Sequence, residues 1–232
     1  MSKNADYGKI FPLFRAASHH WNDYTRHAFV QGLGDGTLPK EAFLHFLKQD
    51  YIFLIHFSRA WALAVAKADT LDEMKACAGT VNGLVNGEMA FHVEFCRKAG
   101  ISEAELLATV EASENLAYTR YVLEAGYSGD FLSLLAALGP CVFGYGEIGL
   151  MLAKEKTSDT YIDWINTYAG DEYQSVCKNV GTLLDNAIAL RLGDDFATVP
   201  MWDKLSKQFD VATCLEVSFW DMGLKPSSRK AP

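Results

Sequence analysis

No CxxC pair occurs in this sequence. Its cysteines, Cys77, Cys96, Cys141, Cys177 and Cys214, are odd in number and widely spaced. That excludes a disulfide framework and a thiolate zinc site. Basic residues are few, with 21 Lys and Arg against 29 Asp and Glu, a formal charge of −8 and no basic cluster. The balance argues against nucleic acid as a partner. Neither strand-like alternation nor an internal repeat is present. The opening "MSKNADYGKIF" has no apolar stretch followed by small residues, so no secretory signal is read there and a cytoplasmic location is expected.

The usual cofactor motifs are also missing. There is no HExxH and no GxxxxGK[ST], and "GLGDG" (residues 32–36) is not GxGxxG. A di-iron bundle needs Glu-x-x-His. The nearest pairs, Glu41/His45 and Glu88/His92, are four apart and read as ordinary neighbours on a helix face. His19, His20 and His27 are conceivable haem ligands, but three histidines on an amphipathic helix read as solvated or hydrogen-bonded. No metal and no cofactor are expected.

What is present is helical periodicity along nearly the whole chain. Half of the 232 residues are apolar and 22% are charged, which suits one large globular all-α domain. The spacing predicts a first helix over residues 7–29, broken by the glycines of "QGLGDGT". A second runs from Pro39 to about Lys67. "TLDE" (residues 70–73) is a capping box that opens a third, ending near Gly100, and "SEAE" (residues 102–105) opens a short fourth. Further helices are predicted over residues 113–125, 130–155, 158–168, 170–192 and 203–222. A polar tail follows residue 223 (residues 224–232). Between Asp130 and Lys154 the sole charge is Glu147, and this stretch is long enough to span a bilayer. Pro140, four glycines and the absence of a second span make it a buried central helix instead, and no membrane association is expected. Gly79, Gly83 and Gly87 recur on one helix side and predict close approach of another backbone rather than a groove for a flat ligand.

The 130–155 helix carries the richest chemistry, in "LGPCVFGYGEIG" (residues 138–149). At 100° per residue, Tyr145 lies about 40° from Cys141, Ile148 about 20° and Gly144 about 60° to the other side. That face offers a thiol, a phenol and a gap beside Gly144 where a small flat ring could fit. Pro140 should kink the helix beside the thiol. Gly139, Phe143 and Gly146 point elsewhere. Glu147 is about 120° away, outside the thiol's pocket, and needs partners of its own. On this geometry Cys141 is either a core thiol or a nucleophile.

A set of longer segments goes further. "FVQGLGDGTLP" (residues 29–39), "QDYIFLIHF" (49–57), "GEMAFHVEF" (87–95), "LAALGPCVFGYGEIG" (135–149), "WINTYAGDEY" (164–173) and "CLEVSFWDMG" (214–223) resemble, in order and spacing, the TenA/thiaminase II family. The resemblance implies a single haem-oxygenase-like helical bundle over residues 1–223, usually a homotetramer. It implies hydrolysis of aminopyrimidines, from thiamin or its aminomethyl breakdown product, to the hydroxymethyl pyrimidine of thiamin salvage. By motif match, Cys141 is the nucleophile, Glu216 the acid that protonates the leaving group, and Asp50 the carboxylate that binds the pyrimidine. Tyr118, Tyr145 and Tyr168 line the ring. Phe53 stands where some members have a tyrosine; its ring can pack on substrate, but it has no hydroxyl with which to help activate the thiol. The rival readings are a pyrimidine-binding or regulatory protein without turnover, and a haem-oxygenase-like enzyme acting on another amine.

Overall fold

A computed structural model describes residues 6–225, and among these the regular structure is helical with no strand. In chain order the helices are α1 (Ile10–Ala17), α2 (Trp21–Thr25), α3 (Ala28–Asp35), α4 (Lys40–Lys67), α5 (Leu71–Asn82), α6 (Met89–Lys98), α7 (Glu103–Leu107), α8 (Ser113–Ser128), α9 (Phe131–Glu155), α10 (Ile162–Ala169), α11 (Asp171–Leu192) and α12 (Pro200–Leu224). A π-helical turn, Gly83–Glu88, joins α5 to α6 without a break. The tail read from residue 224 onward lies, beyond Lys225, outside the described residues.

Helix α9 is the axis. Its Asp130 cap accepts from the Ser133 amide at 2.8 Å, and Pro140 sits inside the helix without ending it. Its most apolar 18-residue window is 94% buried within the fold. The span-length apolar run is therefore a core helix, packed against α12, α10, α11 and α8. Glu147 has the partners it needs: Arg15 Nη2 donates to Oε1 at 2.8 Å and Trp21 Nε1 donates to the same oxygen at 3.3 Å. Gly139 faces Phe209, and Gly146 faces Cys177 and Tyr7.

Both capping boxes form, Thr70 with Glu73 and Ser102 with Glu105. Such a cap contributes about 1 kcal/mol. Helix α4 runs unbroken over 28 residues. Its core face repeats at helical spacing through Phe43, Phe46, Asp50, Phe53, Phe57 and Trp61.

Three sequence expectations need correction. The single first helix is three pieces. Asp210 Oδ1 accepts from the Ser18 hydroxyl and the His19 amide, each at 2.8 Å, and stops α1 there. His27 then caps α3 by accepting from the Phe29 amide. An anchor about 190 residues away in sequence has no local signature. Nor does "QGLGDGT" break the chain at once: α3 runs on to Asp35 and ends at Gly36, whose φ of +78° is the left-handed value that favours glycine. Finally, Gly79, Gly83 and Gly87 do not receive another backbone among the described residues, where a Cβ on any of them would meet nothing within 4 Å.

Candidate active site

The seven side chains that the resemblance assigns to the site lie in one buried region, linked by direct contacts and mutual charge effects. Asp50 and Phe53 come from α4, Tyr118 from α8, Cys141 and Tyr145 from α9, Tyr168 from α10 and Glu216 from α12, and each is buried. Gln49, the neighbour of Asp50, ties α4 to the residues leading into α8. Its Nε2 donates to the Val110 carbonyl at 2.9 Å, and its Oε1 accepts from the Ala112 amide at 2.9 Å.

Glu216 is 1% exposed. Tyr118 donates to its Oε1 at 2.8 Å. Burial pushes the Glu216 carboxyl up to about 8, opposed by hydrogen bonds from Tyr118 and Tyr24. At neutral pH it holds a proton, as a general acid must. The Asp50 carboxyl is also pushed well above the usual carboxylate range, first by burial and then by Glu88 and Glu216. Burial and the charges of Glu216, Glu88 and Asp50 raise the Cys141 thiol too. Burial thus works against charge on the thiol and on each of these acids.

Aromatic rings wall the region. Phe53 packs on Tyr118 with ring centroids 5.1 Å apart and meets Phe219 edge-on at 5.5 Å. Tyr145 lies 5.0 Å from Tyr168 and 5.4 Å from Trp220. The gap expected beside Gly144 is not free: the Tyr24 ring fills it so closely that any Cβ there would collide. A small cleft lies instead beside Asp50 and Tyr168, lined also by Glu88, His92 and Trp164 but not by Cys141 or Glu216. Among the described residues, no three His, Cys, Asp or Glu side chains are grouped so as to hold a metal ion.

Sequence reasoning missed several participants. Glu88 closes the π-turn, a geometry frequent at functional sites, and burial pushes its carboxyl up to about 7. His92, four residues on, is 6% exposed and sets Nδ1 3.4 Å from Asp50 Oδ2. The i, i+4 spacing of Glu88 and His92 was the available signal, but nothing local showed that this helix side faces Asp50. Phe219 and Trp220, close to Glu216 in sequence, suit a pocket wall or plain packing equally, and Trp164 and Tyr24 carried no local signal.

A model of the TENA/THI-4/PQQC family matches residues 15–225. An aminopyrimidine aminohydrolase of Halalkalibacterium halodurans is 36% identical over 213 residues, which is 90% of this chain and 92% of that protein. A solved structure from Silicibacter sp. TM1040, described as a TenA family transcription regulator, is 62% identical with a TM-score of 0.94, covering 97% of this chain and all of that one. A Shewanella denitrificans domain described as having a heme oxygenase-like fold aligns with a TM-score of 0.71 over 96% of this chain and 98% of its own, at 13% identity. The fold is of that haem-oxygenase-like kind.

Proposed function

The chain belongs to the TENA/THI-4/PQQC family, and from that we propose that it is a hydrolase of aminopyrimidines, releasing the hydroxymethyl pyrimidine used in thiamin salvage. The observation that carries the reading is the convergence of a buried thiol, Cys141, with two buried carboxyls, Asp50 and Glu216, from three helices in one aromatic-walled region. The aminohydrolase name of the Halalkalibacterium relative supports the same reaction class.

The chemistry follows from the protonation states. Cys141 adds across a ring C=N bond: sulfur bonds to carbon, and the thiol's proton is matched by one gained at the ring nitrogen. Asp50 binds the amino and ring nitrogen edge. Glu216 gives its proton to the departing amine. Left as a carboxylate, it takes a proton from the water that replaces the amine. Re-aromatisation then expels Cys141 as the ring nitrogen gives its proton back. Phe53, Tyr118, Tyr145 and Tyr168 hold the ring flat against the thiol. No resident metal or organic cofactor enters these steps. The protein acts as a cytoplasmic homotetramer in this reading.

A regulatory role is the second reading, favoured by the name of the Silicibacter structure. The net charge of −8 and the lack of a basic cluster oppose duplex binding. Ammonia release from 4-amino-5-aminomethyl-2-methylpyrimidine, with thiamin assayed beside it, separates the two. Wild type should turn over and Cys141→Ser should lose about a thousandfold or more in kcat while still binding the pyrimidine. Equal rates for the two proteins overturn the nucleophile. Tight binding without turnover in either points to the regulatory reading.

A further inference from the structure

We infer that His92 is the positioning residue for Asp50, and that the two side chains share one proton, which moves from the Asp50 carboxyl to the imidazole when an aminopyrimidine binds. The inference rests on the pyrimidine reading of the site.

The tautomer is set by a backbone group. His92 Nε2 lies 2.8 Å from the carbonyl oxygen of Leu47. A carbonyl only accepts, so Nε2 carries hydrogen and donates. In a neutral ring Nδ1 is then a bare lone pair, and it faces Asp50 Oδ2 at 3.4 Å. Both residues are buried, Asp50 at 4% and His92 at 6% exposure. A lone pair against a carboxylate is repulsive there, and a fully charged pair is costly to bury. One proton between them removes both penalties. It can sit as Asp50 O–H···Nδ1 or as Asp50 O⁻···H–Nδ1 of an imidazolium.

Burial favours the first form. It raises the Asp50 carboxyl and lowers the His92 imidazole. At 3.4 Å the two groups adjoin but stand further apart than a charge-assisted bond of about 2.7–2.9 Å, so the contact must close for the proton to pass. Other titratable groups face the pair from each packed element. They are Glu88 on the π-turn, Glu216 on α12, Cys141 and Tyr145 on α9, Tyr168 on α10 and Cys96 on α6. Of these, the carboxyls of Glu88 and Glu216 oppose a charge on Asp50, while the thiols and phenols are held uncharged by burial and bring no positive charge to it.

An aminopyrimidine changes the balance. Its amino N–H donates to the Asp50 oxygen left free by His92, and a donor to that oxygen favours the carboxylate. The O–H bond of Asp50 breaks with its electron pair left on oxygen, and an N–H bond forms at His92 Nδ1. The pair stays neutral overall, so Asp50 supplies a full negative charge to the ring without adding net charge to the interior. Leu47 and Asp50 lie on the same helix, one turn apart, so His92 grips α4 at two points and fixes which carboxyl oxygen is left for the ligand.

Nitrogen-15 NMR on histidine-labelled full-length protein tests this, with His92→Gln assigning the resonances. Without ligand, Nε2 should be protonated and Nδ1 bare across neutral pH. Saturating hydroxymethyl pyrimidine should carry Nδ1 into the protonated range, and Asp50→Asn should abolish that shift. A ligand-free ring that is Nδ1-protonated, or a Nδ1 signal indifferent to bound pyrimidine, overturns the shared proton. If pyrimidine perturbs no resonance at all, the proposed function fails, and with it the ligand-driven transfer. The ligand-free tautomer still decides separately whether the pair holds one proton. In kinetics, His92→Gln keeps a donor for Leu47 but offers no base. Its kcat should fall about a hundredfold with KM little changed and the acid limb of the pH profile moved. An unmoved profile assigns His92 a packing role only.

Discussion

The Tyr118 hydroxyl donates to Glu216 Oε1 at 2.8 Å, joining residues 98 positions apart. Both side chains are essentially solvent-free, at 0% and 1% exposure. The bond orients a carboxyl whose proton is retained at neutral pH, so Tyr118 acts on the acid as much as on any ring that binds. Its own hydroxyl is pushed well above the ordinary tyrosine value by burial and by Glu216, which keeps it a donor.

The pH dependence of stability should follow from Glu216. Its carboxyl rises from an ordinary 4.5 to about 8 in the folded protein. Between those values the folded state holds a proton that the unfolded chain has released. The contribution is therefore fully present below the unfolded value and lost as pH rises through the folded one. The Tm of wild type should fall between about pH 5 and about pH 8 relative to Glu216→Gln, which has no such proton. Activity of Glu216→Gln should drop about 10²–10⁴-fold, as for loss of a general acid. Melting curves and ammonia release on the same samples check both.

Glu147 is the contrasting carboxyl. It lies on the same helix as Cys141 but is tied to Arg15 and Trp21. Glu147→Gln should cost about 1–3 kcal/mol of stability by weakening a charged hydrogen bond. Its kcat should match wild type. A large fall in kcat with the fold intact would mean that Glu147 serves the reaction.

Gly144→Ala should harm both fold and activity. The new methyl would collide with the Tyr24 ring, whose hydroxyl donates to the Pro140 carbonyl at 3.4 Å and bears on the Glu216 carboxyl. Overpacking of this kind costs about 1–3 kcal/mol. A lower denaturant midpoint with a several-fold lower kcat is expected, whereas unchanged values would show that Tyr24 can move freely.

Gly83→Ala runs the other way. Among the described residues nothing lies within 4 Å of a Cβ there, and the residue sits in continuous helix. Removing a helical glycine should stabilise the chain by about 0.5–1 kcal/mol. Denaturation monitored together with size-exclusion chromatography tests this. A loss of stability accompanied by a smaller assembly would show that another copy of the chain covers this face.

Much of this protein was legible in its residue order. Helical spacing in the 130–155 segment marked a buried core helix, and the arc from Cys141 to Tyr145 was correct because rotation per residue is a local property. Thr70–Glu73 and Ser102–Glu105 announced their helix starts because a capping box is complete within four residues. The setting apart of Glu147 also followed from the wheel alone. The convergence of Asp50, Cys141 and Glu216 is different in kind: it arises where α4, α9 and α12 pack, and only the resemblance anticipated it. Three further features depended on packing that no local pattern encodes. Asp210 ends α1 from the far end of the chain. Tyr24 occupies the space that Gly144 leaves. His92, which reads as an ordinary helix residue four after Glu88, turns out to face Asp50 with its tautomer set by the Leu47 carbonyl. Spacing along a helix is set by bonds that the chain carries everywhere. Which side chain meets which across the bundle is set by burial and shape, and these exist only once the helices have packed.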